Sequence, residues 1–406
     1  LTALGRDNSV LLLSFQNRPG VEMYACDTYR GLSYEPLLPS TGLMTRFELL
    51  SYRDTGMLLR FPRIKNPREI APFVDNPVLY NIFREYKEWG QILSADCLGK
   101  MNTLCENGSI GSFIEVAESL QNKKLSQIAD DIWERRQSSG VRFILIAGPS
   151  SSGKTTFARK LSIQLRVLGL NPVPISLDDY YRNRADVPLD EHGKHDLEAL
   201  EALDTARLNR DMLDLIQRGE TEIPQFDFTT ASRKAQGKPV SISRNGIIIL
   251  EGIHGLNPKL ISEVPQETVF KIYISALTQL NLDDHNRIST TDNRIIRRIV
   301  RDHFFRGMSA GETLHMWPSV HRGEKQYIFP YQNNADIAYN SALDYELAVL
   351  KPFAEPLLKT IKPSDPTYWN AVRLITFLNL FYPIPSRFVP PNSLLREFIG
   401  GLQLFH

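Results

Sequence analysis

Cysteine is scarce in this sequence: Cys26, Cys97 and Cys105 are the only three in 406 residues. They are too few and too scattered for a disulfide framework, and no C-x-x-C pair offers a zinc site, so a reducing, cytoplasmic setting fits best. A surplus of charge is also missing. With 47 basic and 46 acidic side chains the formal net charge is +1, which gives no global attraction to nucleic acid or to an anionic membrane. No run reaches the roughly 18 apolar residues a membrane-spanning helix needs. The nearest, Leu374–Tyr382, stops at Pro383 and reads as a buried segment. Internal repeats and low-complexity tracts are absent as well, and the stretch that opens the sequence does not read as a basic, apolar and small-residue signal. The chain opens on Leu1 rather than Met, and is read as lacking part of its natural N-terminus.

What is present is ordinary globular material, at 42% hydrophobic and 23% charged residues, in a chain too long for one core. Residues 1–75 alternate short apolar runs with turns and read as an α+β domain. Within them Val10–Phe15 reads as a strand, Asn17–Gly20 as a turn, Val21–Ala25 as a second strand and Met57–Pro62 as another short run. Residues 76–140 read as a helical continuation and linker, with a polar break at Gln137–Gly140. From Val141 the texture changes. Phe143–Ala147 is continuously apolar, as a strand buried on both faces of a parallel sheet would be, and Thr155–Leu168 reads as a helix. Pro172–Leu177, Gly246–Leu250 and Val269–Ile274 repeat the strand signal. Strands alternating with helices predict a doubly wound α/β domain over 141–350, followed by an extension, 351–406, packed on it.

The strongest motif lies between the first of these strands and its helix. Gly148-Pro149-Ser150-Ser151-Ser152-Gly153-Lys154-Thr155 satisfies G-x-x-x-x-G-K-[ST]. Glycines let the backbone curl so that successive N–H groups face a phosphate chain, and the following helix adds its positive end. Lys154 is placed to reach the β- and γ-phosphates and the Thr155 hydroxyl to bind Mg²⁺. Such a pattern arises by chance in roughly one or two of a hundred chains this long, and the strand–loop–helix context lowers that further. Asp178, in Ser176-Leu177-Asp178-Asp179-Tyr180-Tyr181, follows the second strand, where open α/β sheets bind ligands. It is a candidate base or metal-side acid; a helix cap is the competing reading. Glu251 follows the third strand, a position for a metal-side carboxylate. Arg294, Arg297, Arg298, Arg301 and Arg306 recur at helical spacing and could close on phosphate, or could form an exposed ion-paired face. Tyr181, Phe226 and Phe228 could stack on a base or serve as core. His303, His315 and His321 have no metal spacing.

Taken together and in this order, the motifs resemble the uridine kinase and phosphoribulokinase family over about residues 141–350. Gly148, Ser150, Ser151, Ser152, Gly153, Lys154, Thr155 and Thr156 match its phosphate loop. Asp178 matches its catalytic base for a ribose 5′-hydroxyl. Pro224–Phe228 with Ser232 and Arg233 is similar to its nucleoside-binding stretch, and Glu251-Gly252 to its third-strand motif. Arg297–Asp302 with Arg306-Gly307 resembles its lid, and Ala335-Asp336-Ile337 its adenine-side frame. The whole chain looks like a bacterial subgroup in which such a domain follows a segment similar to the N-terminal editing-type region of threonyl-tRNA synthetase. Asp283–Asp292 and Pro390–Phe398 are typical of that subgroup. Phe226 and Ala231 stand where the family has pyrimidine-reading tyrosine and histidine, and Asp196 and Glu198 are the nearest acids for the ribose diol.

The resemblance implies ATP and Mg²⁺ as cofactors and a small-molecule nucleoside as acceptor. Its expected sites are Asp178, Lys154, Arg297, Arg301 and Arg306 for catalysis, Thr155 and Glu251 for metal, and Tyr181, Glu198, Phe226, Phe228 and Arg233 for substrate. A kinase of another small alcohol, a sugar or sugar phosphate, is the alternative, and an ATP-dependent RNA-binding or regulatory protein a second. Nucleic acid is left open as a partner but not indicated, no membrane is expected, and a homo-oligomer is left open.

Overall fold

The computed structural model describes residues 1–17, 20–53, 56–63, 66–190, 193, 195–227, 230 and 232–404. Phe228 and Ala231, singled out from the sequence, lie outside the described residues. The chain divides into two compact units, one of residues 18–77 and one of residues 1–17 with 78–406.

The smaller unit carries two antiparallel hairpins, β1 (Tyr24–Cys26) with β2 (Tyr29–Gly31) and β3 (Glu48–Tyr52) with β4 (Gly56–Arg60). Glu48 stands opposite Arg60 in register and pairs with it.

In the larger unit the run expected to be a strand at Val10–Phe15 is helical: α1 is Asp7–Ser14. Periodicity cannot separate the two for a short apolar run. Packing decides it here, because α1 lies against α3 (Leu98–Glu106) at Gly99, where a Cβ would come within 3.0 Å of the Leu12 nitrogen. Helix α2 is Pro77–Ile92, and α4 spans Ile110–Ser139. In α4, Ile110, Phe113, Ile114, Ala117, Leu125, Ile128, Ala129 and Ile132 recur at three- and four-residue spacing and are buried. The polar break at 137–140 is the end of this helix, closed by Gly140 at φ 72°.

The core is a five-stranded parallel sheet ordered β13-β12-β5-β11-β6. Its strands are β5 (Phe143–Ala147), β6 (Asn171–Ser176), β11 (Gly246–Glu251), β12 (Val269–Ser275) and β13 (Ile337–Asn340). Every residue of β5 is buried, as are the first five of β11. Each buried Ile or Leu is worth roughly 1.5–3 kcal/mol relative to exposure, so these runs fix the centre of the sheet. Between β6 and β11 the chain forms α6 (Thr205–Gln217), β7 (Glu220–Ile223), β8 (Phe226–Asp227), β9 (Ser232–Arg233) and β10 (Lys238–Ser241). Asp204 caps α6 by accepting from the Arg207 N–H.

Around the sheet lie α5 (Lys154–Val167), α7 (Thr290–Arg306), α8 (Ala310–Gly323), α9 (Glu346–Leu358), α10 (Tyr368–Leu378) and the short α11 (Arg396–Ile399). Ser289 caps the start of α7 and Gly307, at φ 65°, ends it. The apolar run at 374–382 is buried at Leu374, Leu378, Leu380 and Phe381, as its composition predicts. Among the described residues no helix is long and apolar enough to cross a membrane.

Candidate active site at the carboxyl edge of the sheet

Strand order places the site. From β5 the chain crosses to β6 on one side, while β12 pairs with β5 on the other, so the carboxyl end of β5 is a switch point where a crevice opens. Gly148–Gly153 fills that crevice and leads into α5. Two positions need unusual backbone: Ser151 has φ 59° and Gly153 φ 82°. Gly148 is required by close approach, since a Cβ there would lie 2.0 Å from the Ile274 carbonyl oxygen of β12. At Gly148 the loop therefore has no room for a side chain, and its backbone can lie close to a phosphate there.

The neighbouring strand supplies the carboxylate. Glu251 stands opposite Ile146 in register, and its Oε1 accepts from the Thr155 hydroxyl at 3.1 Å. Burial pushes Glu251 up to about 7, against the pull of Lys154 and the Thr155 hydrogen bond. Thr155 and Glu251 are hard oxygen donors, and such a pair suits Mg²⁺, which takes one or two protein oxygens and completes its shell from phosphate and water. Lys154 donates to the Gly148 oxygen at 2.9 Å and to the Pro149 oxygen at 3.3 Å. Its pKa is lowered by burial, opposed by Glu251 and Asp178.

Asp178 sits in the turn Leu177–Tyr180 directly after β6, where the Ser176 hydroxyl accepts from its N–H. Its carboxyl keeps solvent contact, yet desolvation in the cleft raises its pKa against Lys154 and Arg306. The sequence motifs at 148–155, 178 and 251 thus meet in one electrostatic site.

Of the arginines on α7, only part faces that site. Arg297 is fully buried, and its guanidinium donates to Glu346 (3.1 Å from Nε), to Ser341 Oγ and to the Ser151 carbonyl oxygen. The expectation that Arg297 neutralises phosphate is corrected: it props the loop from behind, its charge matched by Glu346. Arg294 is likewise buried against Glu324 and donates to the Ser150 carbonyl at 2.9 Å. Arg298 donates to Ser150 Oγ at 2.8 Å and to Asp302 at 3.0 Å. Arg301 and Arg306 converge on the same buried Asp302, at 2.7 and 3.6 Å, which leaves a net positive cluster with Arg306 outermost.

On the acceptor side Tyr181 and Phe226 stack obliquely, ring centroids 5.7 Å apart, and the Tyr181 hydroxyl donates to the Leu197 oxygen. Arg233 does not point to a substrate: it donates to the Tyr180 and Tyr181 carbonyls and to Asp204, and so builds the turn that carries Asp178. That corrects its expected role as a direct ligand. Asp196 accepts from the Tyr327 hydroxyl at 2.7 Å and from the Glu198 N–H. Glu198 lies over Gly323, where a Cβ would be 2.7 Å from its Cγ. Burial and then the neighbouring Glu324 push it up to about 7, against Arg298 and Lys154.

Two carboxylates escaped the sequence reading. Glu324 accepts the Ser150 N–H at 3.1 Å and Glu397 the Thr156 N–H at 3.2 Å. Neither has a local signal, since each meets the loop across more than 170 residues of chain. His254 was also missed; it is buried beside the Tyr327 ring, and burial pushes it down to about 4, so its imidazole is neutral.

The profile of the Phosphoribulokinase / Uridine kinase family matches residues 143–347, half of the chain. The chain belongs to this family. The matched span includes the loop, Asp178, Glu251 and all of α7. The uridine kinase of Ligilactobacillus salivarius is 30% identical over 205 residues, covering 50% of this chain and 87% of that protein. That of Bacillus subtilis is 30% identical over 193 residues, 47% of this chain and 82% of the relative. A solved D-glycerate 3-kinase from Cryptococcus neoformans aligns over 69% of this chain and 89% of its own, at 14% identity and a TM-score of 0.30, too loose a likeness to carry an argument. With family and fold in agreement, the chain is an ATP-dependent kinase built on a doubly wound α/β sheet. A groove of about 770 Å³ within the smaller unit, lined by Arg46, Glu48, Arg63 and Arg68 among others, contains none of the motif residues.

Proposed function

We propose that this chain transfers the γ-phosphoryl group of ATP to the 5′-hydroxyl of a nucleoside, of the uridine or cytidine type. The observation that carries the reading is the convergence of Lys154, Glu251 and Asp178 on the phosphate loop, each within the electrostatic reach of the others. The loop amides and Lys154 hold the phosphates. Asp178 accepts the proton of the attacking hydroxyl as the new O–P bond forms, and ADP leaves with the electron pair of the broken bond. A carboxylate whose pKa is raised toward the working pH is a better base for this step than an ordinary one. Arg301 and Arg306 face the transferring charge. Mg²⁺, held by Thr155 and Glu251, would neutralise phosphate oxygens when bound. Tyr181, Phe226 and Glu198 frame the acceptor. Most of the acceleration in such chemistry comes from positioning and charge stabilisation.

The uridine kinases among the relatives support the nucleoside as acceptor. A coupled ATP-consumption screen with Mg²⁺ tests it, against the common nucleosides, ribose, ribulose 5-phosphate and buffer. Turnover with one or two nucleosides is expected. Turnover with another alcohol and none with nucleosides would overturn the substrate and keep the loop chemistry.

We propose further that residues 141–350 form the catalytic domain, that the protein works in the cytoplasm, and that the segment in front is descended from the threonyl-tRNA-synthetase region it resembles.

A further inference from the structure

The N-terminal turn of α5 has amides with no partner inside the helix, as every helix does. The first helical bond, from Phe157 to the Gly153 oxygen, leaves the Thr156 N–H free of the ladder. In a phosphate loop that group faces the nucleotide's phosphates. Here a carboxylate of the same chain takes it: Glu397 Oε2 accepts at 3.2 Å. The contact is built rather than incidental. Leu394 lies against Gly153 so closely that a Cβ there would meet its Cδ2 at 2.6 Å. Lys160 holds the Asn392 carbonyl at 3.1 Å. Phe398 is fully buried with the Arg297 guanidinium 4.8 Å above its ring, and Arg396 clasps the Ser386 and Val389 carbonyls. Two further phosphate-directed groups are also occupied by the protein. The Ser150 N–H is on Glu324, and the Lys154 ammonium is folded back on the Gly148 and Pro149 carbonyls.

We propose that the C-terminal segment 390–400 is an autoinhibitory strap, with Glu397 seated as an internal anion on the phosphate-binding amide of Thr156, so that nucleotide binds only as this carboxylate withdraws. The inference rests on the phosphate-loop reading above and adds a competitor to it. A carboxylate and a phosphate cannot both accept from one N–H, and the two anions repel in the same positive pocket. Asn392 and Leu394 on one side and Phe398 on the other anchor the strap, so the withdrawal is local to the Glu397 turn. Apart from the Thr156 amide, Glu397 makes no hydrogen bond to the groups assigned to the chemical step, Lys154, Asp178, Glu251, Arg301 and Arg306, so its removal is expected to act on affinity rather than on that step.

The test compares ADP binding by calorimetry in the full chain and in Glu397→Gln, which keeps shape and loses charge. Tightening by about five- to thirtyfold is expected, the range a partly buried charge at a helix N-terminus commands. In the wild-type protein, ADP should also speed amide hydrogen exchange across residues 393–400. Equal affinity in the two proteins overturns the strap and leaves the phosphate loop standing. Absence of ADP binding by both removes the loop reading and the strap with it. If Glu397→Gln does not fold, the exchange measurement decides alone: unchanged or slower exchange in 393–400 on adding ADP overturns the proposal.

Discussion

Replacing Arg297 separates a structural arginine from a phosphate-binding one. Its guanidinium is fully buried, pairs with Glu346 and reaches the Ser151 carbonyl and Ser341. Arg297→Met fills much of the volume but leaves Glu346 buried without its cation. Breaking one partner of such a pair costs about 3–5 kcal/mol. For a unit of this size that corresponds to a fall in Tm of about 4–7 °C. Adding Glu346→Leu removes the stranded charge, and the double variant should regain stability, with a coupling toward the upper end of the roughly 0.5–3 kcal/mol seen for neighbouring residues. Thermal denaturation of the four proteins measures the cycle, and turnover measured well below each Tm follows activity. If Arg297→Met kept its Tm within about 1 °C while turnover fell a hundredfold, the buried-brace reasoning would be refuted. The guanidinium would then have to face phosphate in the working enzyme.

Asp178→Asn should lower turnover by about 10²–10⁴-fold, the usual span for a general base, with little change in ATP affinity; equal loss in both would count against the base assignment. Because the pKa of Asp178 is raised, turnover should climb with pH through a range above the ordinary carboxylate value and then level off. For Glu251, pushed up to about 7, the protonated form prevails below that pH and Mg²⁺ must displace a proton. Apparent Mg²⁺ affinity should then weaken about tenfold per pH unit below 7 and stay flat above it, a slope that Glu251→Gln should abolish; a slope that survives in the variant would assign the proton elsewhere. Gly148→Ala forces a Cβ to 2.0 Å from the Ile274 oxygen. Either strand must move, so stability should fall by about 1–3 kcal/mol and ADP binding should be lost, both readable from thermal shift with and without ADP.

Much of the site was legible because its residues are local to the strands that carry them. The loop, Asp178 and Glu251 each follow an apolar run, and the run locates the carboxyl edge. The register of β11 on β5, Glu251 opposite Ile146, then brings Glu251 to Thr155 with no further information required. The α7 arginines were legible as a helical series but not as roles. Spacing puts Arg294, Arg297 and Arg301 near one face, yet burial against Glu324 and Glu346 commits the first two and leaves Arg301 with Arg306 for the site. Val10–Phe15 misled for a similar reason. A short apolar run has no period of its own, and Gly99 on another helix settled its conformation.

The parallel strands, the phosphate loop and the two acids beside it are written locally, since each depends on residues within a few positions of one another. Tertiary packing settles which arginines are committed to distant buried carboxylates, that Arg233 holds a turn, and that Glu324 and Glu397 sit on loop amides. Those contacts join positions 29 to 241 residues apart. Their energies depend on burial and partner geometry, which no local pattern of residue types encodes.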